Sequence, residues 1–333
     1  MNKKIGILLL VACVAILYAS CVPVATLPIP VYPVHPPPHA SQTIVLVGDT
    51  QETLWEEFWR EQNDSLRQQL FSQIVTHNPM AIVLMGDMVG RGSNTTHWQY
   101  FDRISSAARN RGIMFIPTMG NHDYMGHNAS CFANIRPRFP LLDSAMNNNH
   151  TWYAVEVDSV AFIILDSNFD ELTEDQFEDQ QMWLDSTLLE YNTNDAVTNV
   201  VLICHHPGFT NSTIVDGDRL VQNLFIQDAL DFSFKITLIA SGHAHTYEHF
   251  TIDDNVHIVV SGGGGGPRQR LLDTKHARYP DVYNGGTLRD FNYVTVQRAN
   301  GDELTVTMMR YNESTKTWTV GEKFTCSSET KLE

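Results

Sequence analysis

Five short apolar runs in this chain each lead into a residue able to bind a metal. Residues 43–47 (TIVLV) lead into Gly48-Asp49, and residues 81–85 (AIVLM) into Gly86-Asp87. Residues 113–116 (IMFI) lead to Gly120-Asn121-His122-Asp123. Residues 199–204 stop at His205-His206-Pro207, and residues 235–240 lead to Gly242-His243-Ala244-His245. Continuous apolar runs of this length suit strands buried on both faces. Polar side chains of these types are rarely buried without partners, so core packing alone does not explain the series.

Helix-like spacing fills the gaps. Residues 51–77 carry Leu54, Trp55 and Phe58, then Leu66, Leu70, Phe71 and Ile74, and Pro79 closes the segment. Trp55, Phe58 and Trp59 are expected in the core. Trp98, Phe101, Ile104 and Ala108 mark a second helix. This alternation predicts an α/β fold with a site at the carboxyl edge of its sheet. Residues 152–165 read as a hairpin around Asp158-Ser159. A helix over 173–191 opens with Thr173 and Gln176 as a capping box, and another covers 220–232. The last third reads as strands over 246–252, 256–261, 291–297, 303–311 and 317–324, separated by turn residues.

With 333 residues, 43% of them hydrophobic, the chain can bury a large core. Its formal net charge of −16 argues against binding a nucleic-acid polymer, whose phosphates require Lys and Arg. Small phosphorylated ligands stay open, because bound cations can reverse the local field.

Residues 1–20 have the form of a signal peptide: Lys3 and Lys4, an apolar run to Leu17, then Ala19-Ser20. Tyr18-Ala19-Ser20-Cys21 resembles a lipobox, with Tyr18 where leucine is usual. The expectation is an extracytoplasmic protein tethered to a membrane through lipid on Cys21, with simple secretion as the alternative. Residues 21–42 are rich in proline and read as an extended tether of about 3 Å per residue. The folded domain is expected over 43–326, with a tail over 327–333. A Cys131–Cys326 disulfide is compatible with an oxidising compartment.

The polar strand ends suggest a cage for two cations about 3.5–4 Å apart. Asp87 would bridge both. Asn121, His205 and His243 would complete one shell, with Asp49 and His245 holding the other ion. His243 and His245 can reach the ions only from a loop, which Gly242 permits. A hydroxide between the ions could attack phosphorus. His122 is the candidate for protonating the leaving oxygen, with Asp123 orienting its ring. Asn121, His127 and His206 are candidates for touching substrate. Taken singly, Asp49 and Asp87 would read as helix N-caps, and His127 and His206 as loop residues.

This ordered set resembles the calcineurin-like metallophosphoesterase superfamily. The stretch from Gly242 to Phe250, GHAHTYEHF, is similar to its purple acid phosphatase-like branch. The resemblance covers roughly residues 43–326. It implies a four-layer α/β/β/α sandwich of two mixed β-sheets, with a dinuclear site at one edge. It further implies hydrolysis of phosphate esters with two divalent or mixed-valence ions (Fe, Mn or Zn). Phosphomonoesters are favoured, with a phosphodiesterase acting on nucleotides or lipids as the alternative. Three departures stand out. Gln51 replaces a ligand histidine of many members, no tyrosine follows Asp87, and His249 replaces the branch's arginine. Either the Gln51 amide or a water would then complete the second shell. A degenerate surface protein that binds without catalysis is the reading from a different class.

Overall fold

The computed structural model describes residues 31–33, 35–252 and 256–328. The signal peptide, Cys21, half of the tether, residues 253–255 and residues 329–333 of the tail lie outside the described residues. In chain order the strands are β1 (Val31–Pro33), β2 (Thr43–Val47), β3 (Ala81–Met85), β4 (Met114–Thr118), β5 (Tyr153–Val157), β6 (Val160–Ile164) and β7 (Asn199–Ile203). They continue with β8 (Ile236–Ser241), β9 (Tyr247–Ile252), β10 (Val256–Ser261), β11 (Asn292–Arg298), β12 (Glu303–Asn312) and β13 (Thr317–Ser327). One seven-stranded sheet has the order β1-β5-β6-β7-β8-β10-β9, and one six-stranded sheet the order β13-β12-β11-β2-β3-β4. Both are mixed: β2-β3-β4 and β6-β7-β8-β10 are parallel, while β9, β11, β12 and β13 pair antiparallel.

Alternation within the strands explains the layers. Phe162, Ile164, Val201 and Ile203 join the main core with Val45, Val83 and Val294 of the six-stranded sheet. Their neighbours Ala161, Ile163, Val200 and Leu202 face the other way and pack with Leu184 and Leu188 of a helix over Glu174–Thr193. Residues one apart in a strand point to opposite faces. The expected sandwich of two sheets with helices outside is therefore the architecture. The capping box is formed as well: Thr173 Oγ1 accepts from Gln176 N at 3.2 Å, and Thr173 N donates to Gln176 Oε1 at 3.0 Å.

The carboxyl ends of the parallel strands meet at one edge. Gly48 N donates to Ser261 O across the two sheets at 3.1 Å, Asp49 N to Gly86 O at 3.1 Å, and Gly242 N to His205 O at 3.0 Å. These bonds tie the ends of β2, β3, β7, β8 and β10 together.

Three expectations are corrected, and the Cys131–Cys326 pairing left open above is not formed. Residues 31–33 of the tether form an edge strand paired in parallel with β5, a position where proline is tolerated. The helix expected over 51–77 is a short turn at Trp55–Glu57 followed by a helix only over Asp64–Ile74. Trp55, Phe58 and Trp59 are 81%, 78% and 71% exposed, because no element among the described residues packs over that loop. Cys131 and Cys326 are both free and buried, one on the helix Asn128–Ile135 and one on β13. Among the described residues no helix is long and apolar enough to cross a membrane.

Candidate metal centre

The polar residues leave the strand ends through an unusual backbone. Asp49, Asp87 and His243 have φ of 59°, 51° and 63°. This left-handed region is costly for residues other than glycine and recurs where function requires it. The preceding glycines provide the room. A Cβ on Gly242 would lie 2.5 Å from Asp49 Oδ2, and one on Gly86 would lie 2.4 Å from His205 Nδ1.

Two donor groups result, with Asp87 between them. In the first, His205 Nε2 is the centre: Asn121 Oδ1 lies 3.1 Å from it, His243 Nδ1 3.2 Å and Asp87 Oδ1 3.5 Å. In the second, His245 Nε2 lies 3.3 Å from Asp49 Oδ1 and 3.1 Å from Gln51 Nε2, which is itself 3.3 Å from Asp87 Oδ2. Each oxygen of Asp87 thus serves a different group. Two histidines are turned inward by backbone carbonyls: His205 Nδ1 donates to Met85 O at 2.9 Å, and His245 Nδ1 to Pro267 O at 2.9 Å. Such outer contacts fix the ring and leave Nε2 as the donor to a metal.

The donor set fits cations. Asp49, Asp87 and His245 are buried with ligand atoms within 4.8 Å of one another, and the same spacing holds for His205, His206 and His243. Gln51 is 2% exposed and its Oε1 has no hydrogen-bond partner. Turning this amide over would bring the oxygen to the position facing Asp87 and His245, where a cation would be its partner. The Gln51 amide therefore does lie in the second group.

Strong fields act between these side chains. Burial works against the charged form of Asp87, yet His205, His122 and His243 hold its carboxyl far below the usual range. His205, also opposed by burial, is raised to about 9 by Asp87 and Asp49. Burial and the His205 charge then push His206 down to about 3 and His243 well below its usual value. Burial raises Asp49, while burial and the charge of Asp87 raise Asp123 well above the carboxylate range.

The remaining candidates are placed unevenly. His122 lies beside the cage: its Nε2 is 4.0 Å from Asp87 Oδ2, and its backbone N donates to Asp87 Oδ1 at 2.8 Å. Its ring is oriented by Gly90, whose carbonyl accepts from Nδ1 at 2.8 Å. Asp123 does not orient that ring. Its carboxylate turns inward and accepts from Met88 N at 3.1 Å and Gly120 N at 2.9 Å, bracing the two loops. His206 sits against His243 with ring centroids 4.4 Å apart, and its Nδ1 meets Ser167 Oγ at 2.9 Å. His127 is exposed at the start of the helix Asn128–Ile135 and does not line the cavity beside the cage. That cavity, of 280 Å³, opens beside Asn121 and His206 and is bounded by Ser167 and Phe169. Two contributions had escaped the sequence reading. The Gly90 carbonyl carries no side-chain signal, and Ser167 is marked only by its position three residues past β6.

The chain is similar to known proteins. A model of the family described as calcineurin-like phosphoesterase matches residues 42–247. Purple acid phosphatase 22 of Arabidopsis thaliana is 24% identical over 242 residues, which is 69% of this chain and 52% of that protein. A probable cyclic nucleotide phosphodiesterase of Xenorhabdus bovienii is 24% identical over 165 residues, covering 50% of this chain and 60% of that protein. A purple acid phosphatase from yellow lupin (Lupinus luteus) seeds superposes with a TM-score of 0.62 at 17% identity, covering 89% of this chain and 55% of that one. The chain thus spans little more than half the length of these relatives.

Proposed function

Because this chain belongs to the calcineurin-like phosphoesterase family, we propose that it hydrolyses phosphate esters at a pair of cations, with phosphomonoesters preferred. The observation that carries this reading is Asp87, which offers Oδ1 to the His205 group and Oδ2 to the Gln51 and His245 group. Asp87 would bridge. Asn121, His205 and His243 would hold one ion, and Asp49, His245 and the amide oxygen of Gln51 the other. Mixed imidazole, carboxylate and amide donors suit Mn, Fe or Zn. When bound, the ions activate water and neutralise charge on the phosphoryl oxygens.

The chain's own residues do the rest. His122, held at Nδ1 by the Gly90 carbonyl, presents Nε2 as the atom that delivers a proton to the leaving oxygen. His206, fixed by Ser167, lies between the cage and the cavity and bounds the bound ester with Asn121. The resemblance to purple acid phosphatases favours a monoesterase. The similarity to a probable cyclic nucleotide phosphodiesterase supports a diesterase as the second reading. The lipobox-like sequence supports an extracytoplasmic protein tethered through Cys21.

Metal analysis of the purified protein, paired with an aryl phosphate assay, tests the proposal. Two ions per chain with turnover are expected. One ion or none, without turnover, would replace it with a non-catalytic binding protein.

A further inference from the structure

We propose that Asp166 is a positioning residue for substrate binding: through Ser167 it holds His206 in the tautomer that turns an N–H towards the phosphate ester. The inference rests on the phosphoesterase reading above and names how that site grips its substrate.

Asp166 lies two residues past β6 and is fully buried, and no cation pairs with it among the described residues. A lone buried carboxylate is costly unless its oxygens are satisfied. Here they are. Oδ2 accepts from Tyr124 Oη at 2.5 Å and from Thr151 Oγ1 at 2.6 Å, lengths typical of O–H donors to an ionised oxygen. Oδ1 accepts from Asn168 N at 2.9 Å and from Asn168 Nδ2 at 2.8 Å. These four donors fill the acceptor positions of a carboxylate. The backbone of Asp166 is clamped as well. Its N donates to Gln180 Oε1 at 2.8 Å, and its O accepts from Gln180 Nε2 at 2.9 Å. The residues on both sides of Ser167 are therefore held. Asn168 Nδ2 also donates to Met119 O at 2.9 Å, which ties the same turn to the loop that carries Asn121.

Ser167 passes this order to the cavity. It is 2% exposed, and its Oγ accepts from His206 N at 2.9 Å. Its hydroxyl hydrogen has one acceptor among the described residues, His206 Nδ1 at 2.9 Å. The hydroxyl therefore donates to Nδ1, and the proton of the neutral ring stands on Nε2. Nε2 bonds to no group among the described residues, and His206 lines the cavity beside the cage. An N–H on that wall is a donor for a phosphoryl oxygen. The other tautomer would set a lone pair against that oxygen.

The test uses the metal-loaded full chain and an aryl phosphate. Asp166→Asn keeps the shape, removes the charge and replaces two acceptor positions with an N–H. KM should rise about tenfold, with kcat changed less than about twofold, as for a lost binding contact. Ser167→Ala, which leaves the Asp166 network whole, should do the same. Tyr124→Phe removes one donor to the carboxylate and should raise KM about threefold. In a His206→Ala background none of these should raise KM further, because the group they act through is gone. The proposal is overturned by a KM unmoved in Ser167→Ala or in whichever of the other two variants folds. A loss carried by kcat alone, or a rise that persists in the His206→Ala background, overturns it equally. Long-range nitrogen–proton NMR of the zinc-loaded protein gives a readout independent of turnover, with the His206 signals identified by their loss in His206→Ala. The wild type should carry the ring proton on Nε2, and Ser167→Ala should show both tautomers. A proton on Nδ1 in the wild type, or a tautomer unmoved in Ser167→Ala, would refute the assignment. If no phosphate ester is hydrolysed, the phosphoesterase reading fails, and these spectra alone decide the positioning role.

Discussion

At the scale of single residues, Asp87 carries the most. It is 1% exposed and shares its two oxygens between two donor groups. Asp87→Asn keeps the shape but removes the charge and one good acceptor. Activity should fall at least ~100-fold with one ion lost per chain, while circular dichroism stays unchanged. Turnover like the wild type would refute the bridging role. Gln51→His should tighten retention of the second ion by about tenfold, since imidazole is a stronger donor than an amide. Unchanged affinity in metal titration would remove Gln51 from the cage. Most of this site was legible because each ligand follows a strand, usually after a glycine. Asp123 was misread for a physical reason. Residues 121–124 form a helical turn, so the side chains of His122 and Asp123 diverge by about 100° and the second turns inward. Adjacency in sequence had suggested a contact that the turn forbids.

At the scale of elements, a buried cation braces the loop between β2 and the helix Asp64–Ile74, which Arg268 also grips through Glu61. Arg67 is 1% exposed, donates to Thr50 O at 2.7 Å, and pairs with Glu52 at 3.1 Å and Asp64 at 3.0 Å. Arg67→Met should cost about 3 kcal/mol in denaturant unfolding, because it strands the buried end of Glu52 and the Thr50 carbonyl. Unchanged stability would show that the loop holds itself. This loop was the least legible part of the sequence. Trp55, Phe58 and Trp59 repeat like a helix face, yet only Trp55 belongs to the three-residue turn and all three are exposed. Periodicity reports spacing but does not reveal whether a partner exists. On β9, Glu248 is buried and accepts from Asn211 N at 2.7 Å. Burial raises its carboxyl from 4.5 to about 7. Between those values the folded state binds more proton than the unfolded state, so stability is fullest below 4.5 and is lost as pH rises through about 7. The slope is about 1.4 kcal/mol per pH unit at most. Glu248→Gln should flatten it in thermal unfolding of the metal-free protein, and an identical pH profile would contradict that assignment.

At the scale of the molecule, two sheets meet at one edge, and that edge holds every donor group. The order of strands was readable from apolar runs, but their long-range pairing was not. Nothing local says that β11 should lie against β2, or that residues 31–33 should add to β5. That last pairing matters for the proposed tether. Val31 pairs with Ala154, which pairs with Ile163 near the end of β6. Val31, the first residue of β1, therefore lies at the edge that bears the cage. Cys21→Ser should move the protein from the membrane fraction to the soluble fraction, and persistence with membranes would refute lipid tethering at this residue. The most direct measurement is anomalous diffraction at the manganese edge from crystals of the Mn-loaded protein. Two peaks about 3.5–4 Å apart, one on each side of the Asp87 carboxylate, are the expected result. A single peak, or peaks away from Asp87, would contradict the dinuclear centre.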